Sequence, residues 1–318
     1  MEKKKKRYPP AERLRRFLQN GLPAEKRDRV ILGPPIHVSH GRPSQAILLL
    51  LGEPSPIGAS PGDKPETLAH RRAVLSGQRG ASLLVPHLRE KIAGVACVLS
   101  LQYERLLCGW ERERLLLLPP LVLPFPRASQ ETSLPPDRPL FVCSDSNLDT
   151  SRWIREAVKA VWTDNPPRFL ILPPSYSDDA PILLSGATDS ERRDLRGAEA
   201  AELVRTAELI LHLPAAALSS HDVEAVSFLS TGVPCLAFPS GWWAELPEDT
   251  FLPFEGEERD KAALIEVLRA YRATPYLGPF LSRQARSFSE SAASTWRQEI
   301  HSFLDRAVPE TTARPDEH

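Results

Sequence analysis

Residues Ser219 to Phe238 read SSHDVEAVSFLSTGVPCLAF. Within them His221, Asp222 and Glu224 could titrate, and Ser219, Ser220 and Ser227 could donate or accept hydrogen bonds. His221 and Asp222 stand just before an expected helix over 222–230. The free backbone N–H groups of such a helix start can bind an anion without a charged side chain. Asp222 would itself occupy that positive end, and an N-cap made by Ser220 or Asp222 is the ordinary alternative. Gly232 suits a left-handed helix stop. His221 and Glu224 are spaced i, i+3, but a third ligand is not in sight and structural zinc takes four, so no metal site is read. No serine sits in a GxSxG elbow and no phosphate-binding GxxxxGK[ST] loop occurs.

Two further stretches could face a ligand. His40, Gly41 and Arg42 lie in HVSHGRPSQA, a loop whose backbone could approach phosphates; a proline-bounded surface loop reads equally from the same residues. Trp242 and Trp243 follow Gly241. Adjacent indoles on a loop can stack on a sugar ring, anchor a partner, or pack into the interior.

The elements that would hold these groups follow from apolar runs and their punctuation. AILLLLGEP is continuous and closed by Gly and Pro, as a parallel strand buried on both faces should be. RVILG, ASLLVP (81–86) and VACVLSL (95–101) are strand-like, with a helical segment at 66–76 and a short helix in QYERLLCGW. A polar, proline-rich crossing near residue 130 suggests a boundary. Beyond it, strands are expected near 139–143, 168–173, 181–185, 207–213 and 233–238. Helices are expected over 150–163, 189–205 and 222–230 and across 259–308. Strands alternating with helices of this length predict a parallel sheet with crossover helices.

The second half resembles the nucleotide-sugar lobe of GT-B glycosyltransferases, in particular the retaining family 4. Four segments carry the likeness: VLSLQYERLLCGWERERLLLLPPLVLPF, LFVCSDSNLDTSRWIREAVKAV, SSHDVEAVSFLSTGVPCLAFPSGWWAEL and the closing LSRQARSFSESAASTWRQEIHSFLDRAV. They cover about 95–308, roughly two thirds of the chain. The resemblance implies an α/β, GT-B-like fold of two Rossmann-like lobes. These would be a reduced N-terminal lobe with hinge over 30–130 and a C-terminal lobe over 131–308, flanked by a basic tail 1–29 and a disordered tail 309–318. It also implies a donor site at Ser144, Asp149, Ser219, Ser220, His221, Asp222, Ser227 and Gly232. The family places an Arg and a Lys on the donor diphosphate where Ser144 and Asp149 stand. It places two glutamates on the donor sugar and ribose where Ser219 and Ser227 stand. Cations there stabilise a diphosphate leaving group; a serine is a weak donor and an aspartate repels.

Three functions follow as expectations: a non-catalytic binding or assembly subunit, a divergent active glycosyltransferase that takes a nucleotide-sugar donor, or a sugar or nucleotide sensor. No other cofactor is implied.

Composition bounds the setting. The 318 residues are 42% hydrophobic and 25% charged, ordinary for a globular chain. No apolar signal core follows the basic start, and the four cysteines form no CxxC pair. A cytoplasmic location is therefore expected. Residues 1–30 hold eleven Lys/Arg and four Asp/Glu, a balance of +7, so the rest carries −8 against the total of −1. That tail could meet an anionic membrane surface or an acidic protein, and a homo-oligomer is a further expectation. Nucleic acid is not expected, because no aromatic–basic interleaving follows.

Overall fold

A computed structural model of the chain shows eleven strands and four α-helices among the residues it describes. It describes residues 17, 20, 30–32, 47–50, 93–98, 103–104, 107, 110–125, 138–144, 151–172, 182–185, 192–195, 197–214, 225–257 and 259–307. The chain divides into two compact units. One comprises Leu14–Pro119 with Ser294–His318, the other Met1–Arg13 with Pro120–Ala293.

The first unit holds a sheet of four parallel strands in sequential order: β1 (Val30–Leu32), β2 (Ile47–Leu50), β3 (Gly94–Cys97) and β4 (Leu115–Leu117). Val95, Ala96 and Cys97 are buried, as the continuous apolar run leads one to expect. The end of the last helix supplies the cover. Trp296, Ile300, Phe303 and Leu304 recur at helical spacing and are all buried. Gly94 is required by this packing: a Cβ there would stand 2.7 Å from the Phe303 ring and 2.8 Å from the Arg114 carbonyl oxygen.

The second unit is built on seven strands: β5 (Leu140–Ser144), β6 (Arg168–Leu172), β7 (Ile182–Ser185), β8 (Arg192–Leu195), β9 (Leu209–His212), β10 (Cys235–Ala237) and β11 (Leu252–Pro253). Their order across the sheet is β11-β10-β9-β5-β6-β7-β8. The chain runs outward from β5 through β6 to β8, then returns to the other flank of β5 with β9 and continues to β11. The sheet's topological switch point therefore lies between β5 and β9.

The strand positions expected beyond residue 130 are observed, and so is the α/β class, whereas ASLLVP (81–86) and the helical segment at 66–76 lie outside the described residues. The all-parallel expectation is corrected, because β7 pairs antiparallel with both β6 and β8. Only residues 173–181 separate β6 from β7, and 186–191 separate β7 from β8. A parallel return needs a dozen or more residues, so these short links force reversal. The expected helix 189–205 is likewise divided: residues 192–195 are β8, and α2 (Gly197–Arg205) begins only afterwards.

Helix α1 (Arg152–Val161) buries Ile154, Ala157, Val158 and Val161, the i, i+3, i+4, i+7 stripe of an amphipathic helix. Helix α3 (Lys261–Ala273) is started by Asp260, whose side chain accepts the Ala263 N–H at 3.0 Å, and buries Leu264, Leu268 and Tyr271. Both pack on one core with Phe141, Phe169, Leu211, Leu236 and Phe254. Arg272 joins the two helices at the surface, giving two hydrogen bonds to the Asp164 carboxylate at 2.7 and 2.8 Å. Helix α4 (Leu277–Ala307) follows.

Candidate functional site

In an open α/β sheet ligands settle outside the carboxyl ends of the strands, at the switch point. In the seven-stranded unit that place is occupied by Ser144 and His212, the last residues of β5 and β9. The strands are parallel neighbours, with Phe141 opposite Leu209, Val142 opposite Ile210 and Cys143 opposite Leu211. One step further in the same register brings residue 144 beside residue 212. The Ser144 hydroxyl and His212 Nδ1 are 3.1 Å apart. The serine is 1% exposed and the histidine 4%.

Strand β10 adds the third group. Its last residue, Ala237, pairs with His212, and the chain then turns through Gly241, at φ 55°, into the short 3-10 helix Gly241–Glu245. This turn lays Trp243 against His212, the rings 5.6 Å apart between centroids and 28° from parallel. Phe251 meets the same Trp243 indole edge-on, the centroids 5.2 Å apart. Trp243 is 2% exposed, and its indole Nε1–H is buried without a hydrogen-bond partner. A buried donor left unpaired costs about 1–3 kcal/mol, so native proteins keep few of them.

Trp242 is fully buried as well. Of the three roles left open for the tryptophan pair, packing into the interior is the one observed. Gly241 turns both indoles inward, and Trp243 forms a wall of the His212 cluster.

Ser227 lies on the 3-10 helix Val226–Thr231 and is 4% exposed. An α-helix had been expected over 222–230, and its described part is tighter. The hydroxyls of Ser230 and Thr231 donate to the carbonyls of Ser227 and Phe228 at 2.8 and 2.6 Å, side-chain bonds that favour a three-residue turn. Ser230 Oγ also accepts the Phe125 N–H at 2.7 Å. Gly232 ends the turn at φ 73°, with the Arg286 guanidinium packed where a Cβ would be. That stop matches the sequence reading.

Asp149, Ser219, Ser220, His221, Asp222 and Glu224 lie outside the described residues, as do His40, Gly41 and Arg42. The same holds for the basic tail 1–29 apart from positions 17 and 20, and for 309–318. Among the described residues no three His, Cys, Asp or Glu side chains gather as metal ligands. No helix among them is long and apolar enough to cross a membrane. Cys97, Cys143 and Cys235 are buried, and burial pushes the Cys235 thiol far above its ordinary value.

His212 is the functional candidate that the sequence reading passed over. Its signal was faint: an imidazole closing the apolar strand LILH just ahead of a proline. Only the strand order places it beside Ser144.

No family model matches the chain, and no curated protein matches it. Solved structures do. Sucrose-phosphate synthase from Thermosynechococcus elongatus is 15% identical with a TM-score of 0.46, covering 80% of this chain and 65% of its own. TarM of S. aureus, solved with fondaparinux, alpha-GlcNAc-glycerol and UDP, is 11% identical at 0.46, covering 85% and 55%. The glycotransferase of kitacinnamycin is 10% identical at 0.37, covering 83% and 70%. The chain thus spans less than two thirds of the length of the first two structures.

Proposed function

We propose that this chain is a glycosyltransferase-like protein that holds no donor diphosphate and acts as a non-catalytic binding or assembly subunit. One observation carries the reading. Where the resembled family puts an arginine on the diphosphate, this chain has Ser144, buried at the end of the central strand with its hydroxyl engaged by His212. A diphosphate brought there would lose its hydration and meet a neutral, already bonded hydroxyl; such anions are held by cations and several charge-assisted donors. Asp149 at the second position would add repulsion.

Calorimetry against UDP-, GDP- and ADP-sugars tests this directly. The expected result is no binding heat at millimolar donor and no release of nucleoside diphosphate. Turnover of any of these donors would refute it. The fourfold variant Ser144→Arg, Asp149→Lys, Ser219→Glu and Ser227→Glu restores the family's charged set, and gain of donor binding supports a degenerate ancestry.

A second reading, a divergent active transferase, is favoured by His212, the one titratable side chain in the cluster. Protonated, it would place a positive charge at the switch point. For an assembly subunit, the remaining contact candidates are a homo-oligomeric face, a protein partner, and an anionic membrane surface met by residues 1–29. Light scattering and liposome sedimentation of the full chain and of a form lacking 1–29 separate these.

A further inference from the structure

The first half of helix α4 has two distinct faces. Leu281, Ala285 and Ala292 are buried, at the spacing of one inward stripe. The opposite stripe, with Pro279, Arg283, Ser287 and Glu290, is exposed. Tyr276 extends it at the helix start, where its carbonyl accepts the Phe280 N–H at 3.0 Å. Its side chain is 76% exposed, the most of any large hydrophobic among the described residues. Arg283 and Glu290 make no hydrogen bond or ion pair among the described residues. Arg286, the other cation on this side, packs its guanidinium at Gly232 of its own chain.

Arg283 and Glu290 are seven residues apart, two helical turns, so they lie along one line of the helix. Such a pair is complementary to itself when a second helix lies antiparallel to the first. With a two-fold axis crossing between the two positions, Arg283 meets Glu290 of the partner subunit, and Glu290 meets Arg283 of the partner subunit. Parallel helices would set like charge on like. Sliding antiparallel copies by seven residues would set Arg283 on Arg283 of the partner subunit, or Glu290 on Glu290 of the partner subunit. One register attracts and its neighbours repel, which is how paired helices fix partner and orientation. Exposed charge pairs contribute little alone; Tyr276 supplies the aromatic area that interfaces favour, and the small Ser287 lets the helices approach.

We propose that the outer face of α4 docks a second copy of this chain, antiparallel, in a closed two-fold dimer. The inference rests on the assembly reading above and names the face and its occupant.

The test measures the mass of the full chain by light scattering and sedimentation across the micromolar range at low salt. The unchanged chain is expected to be a dimer that loosens as salt is added. Arg283→Glu and Glu290→Arg each turn two attractions into two repulsions, and each should weaken the dimer at least about tenfold. Both positions are exposed, so the variants keep the fold, which circular dichroism checks. An equal mixture of the two variants restores opposite charges at every contact and should recover the dimer; the chain carrying both substitutions should do the same. A monomeric unchanged chain overturns the inference. So does a dimer indifferent to either reversal, or a failure of the mixture to recover. In each of these cases the function proposed above stands, because an assembly subunit has other partners open to it. Donor turnover by a dimer that responds as expected would sink that function and leave this interface standing.

Discussion

The hydrogen bond between Ser144 and His212 makes a prediction about stability that does not depend on any ligand. Both side chains are almost wholly buried, at 1% and 4% exposure, and their polar atoms are 3.1 Å apart. Ser144→Ala leaves His212 Nδ1 without that partner, at a cost of about 1–3 kcal/mol. His212→Phe keeps a ring stacked on Trp243 but strands the serine hydroxyl, at a similar cost. Removing both partners leaves neither atom stranded, and paired apolar replacement comes close to neutral. The double variant should therefore lose well under the sum of the two single losses, with a coupling of at least about 2 kcal/mol. Other contacts of His212 vanish in both the single and the double variant, so the cycle cancels them. Urea unfolding followed by circular dichroism and tryptophan fluorescence measures all four proteins. Near the melting temperature each kcal/mol corresponds to roughly 2–4 °C in a unit of this size. Additive losses, within about 0.3–0.5 kcal/mol, would refute the pairing.

Two further outcomes follow from residues away from the cluster. Gly232→Ala should destabilise the chain by about 1–2 kcal/mol, because an L side chain at φ 73° is strained and Arg286 must also move aside; thermal unfolding reads this, and an unchanged melting temperature would deny the left-handed stop. The Asp164 carboxyl is held below its ordinary value of 3.8, first by the hydrogen bond from Arg272 and then by its own backbone N–H. A lowered carboxylate contributes stability that is complete above its unfolded value and lost as pH falls through the folded one. Melting curves should therefore show the deficit of Asp164→Asn at neutral pH, shrinking as pH falls below about 3.8 and gone once pH is below the lowered folded value; a deficit that persists in strong acid would assign the effect to something other than the charge.

Much of the seven-stranded unit was legible in the residues themselves. LFVCS, RFLIL, LILH and CLA are apolar runs of strand length bounded by breakers, and burial on both faces is what such runs require. Helices α1 and α3 announce their buried stripes by spacing, and Gly232 its stop. These are local properties, set by side-chain period and backbone freedom. RRDL has no apolar run, so nothing local marks it as β8; it becomes a strand because β7 offers it a ladder. The reversal at β6–β7–β8 comes from the shortness of two links, a constraint on where the chain can return rather than on what each residue prefers. The inward turn of Trp242 and Trp243 depends on the left-handed Gly241 and on which surface lies beneath. The meeting of Ser144 with His212, sixty-eight positions apart in the chain, depends on β9 crossing back to the flank of β5. Strand order is a property of the whole sheet, and it decided the site.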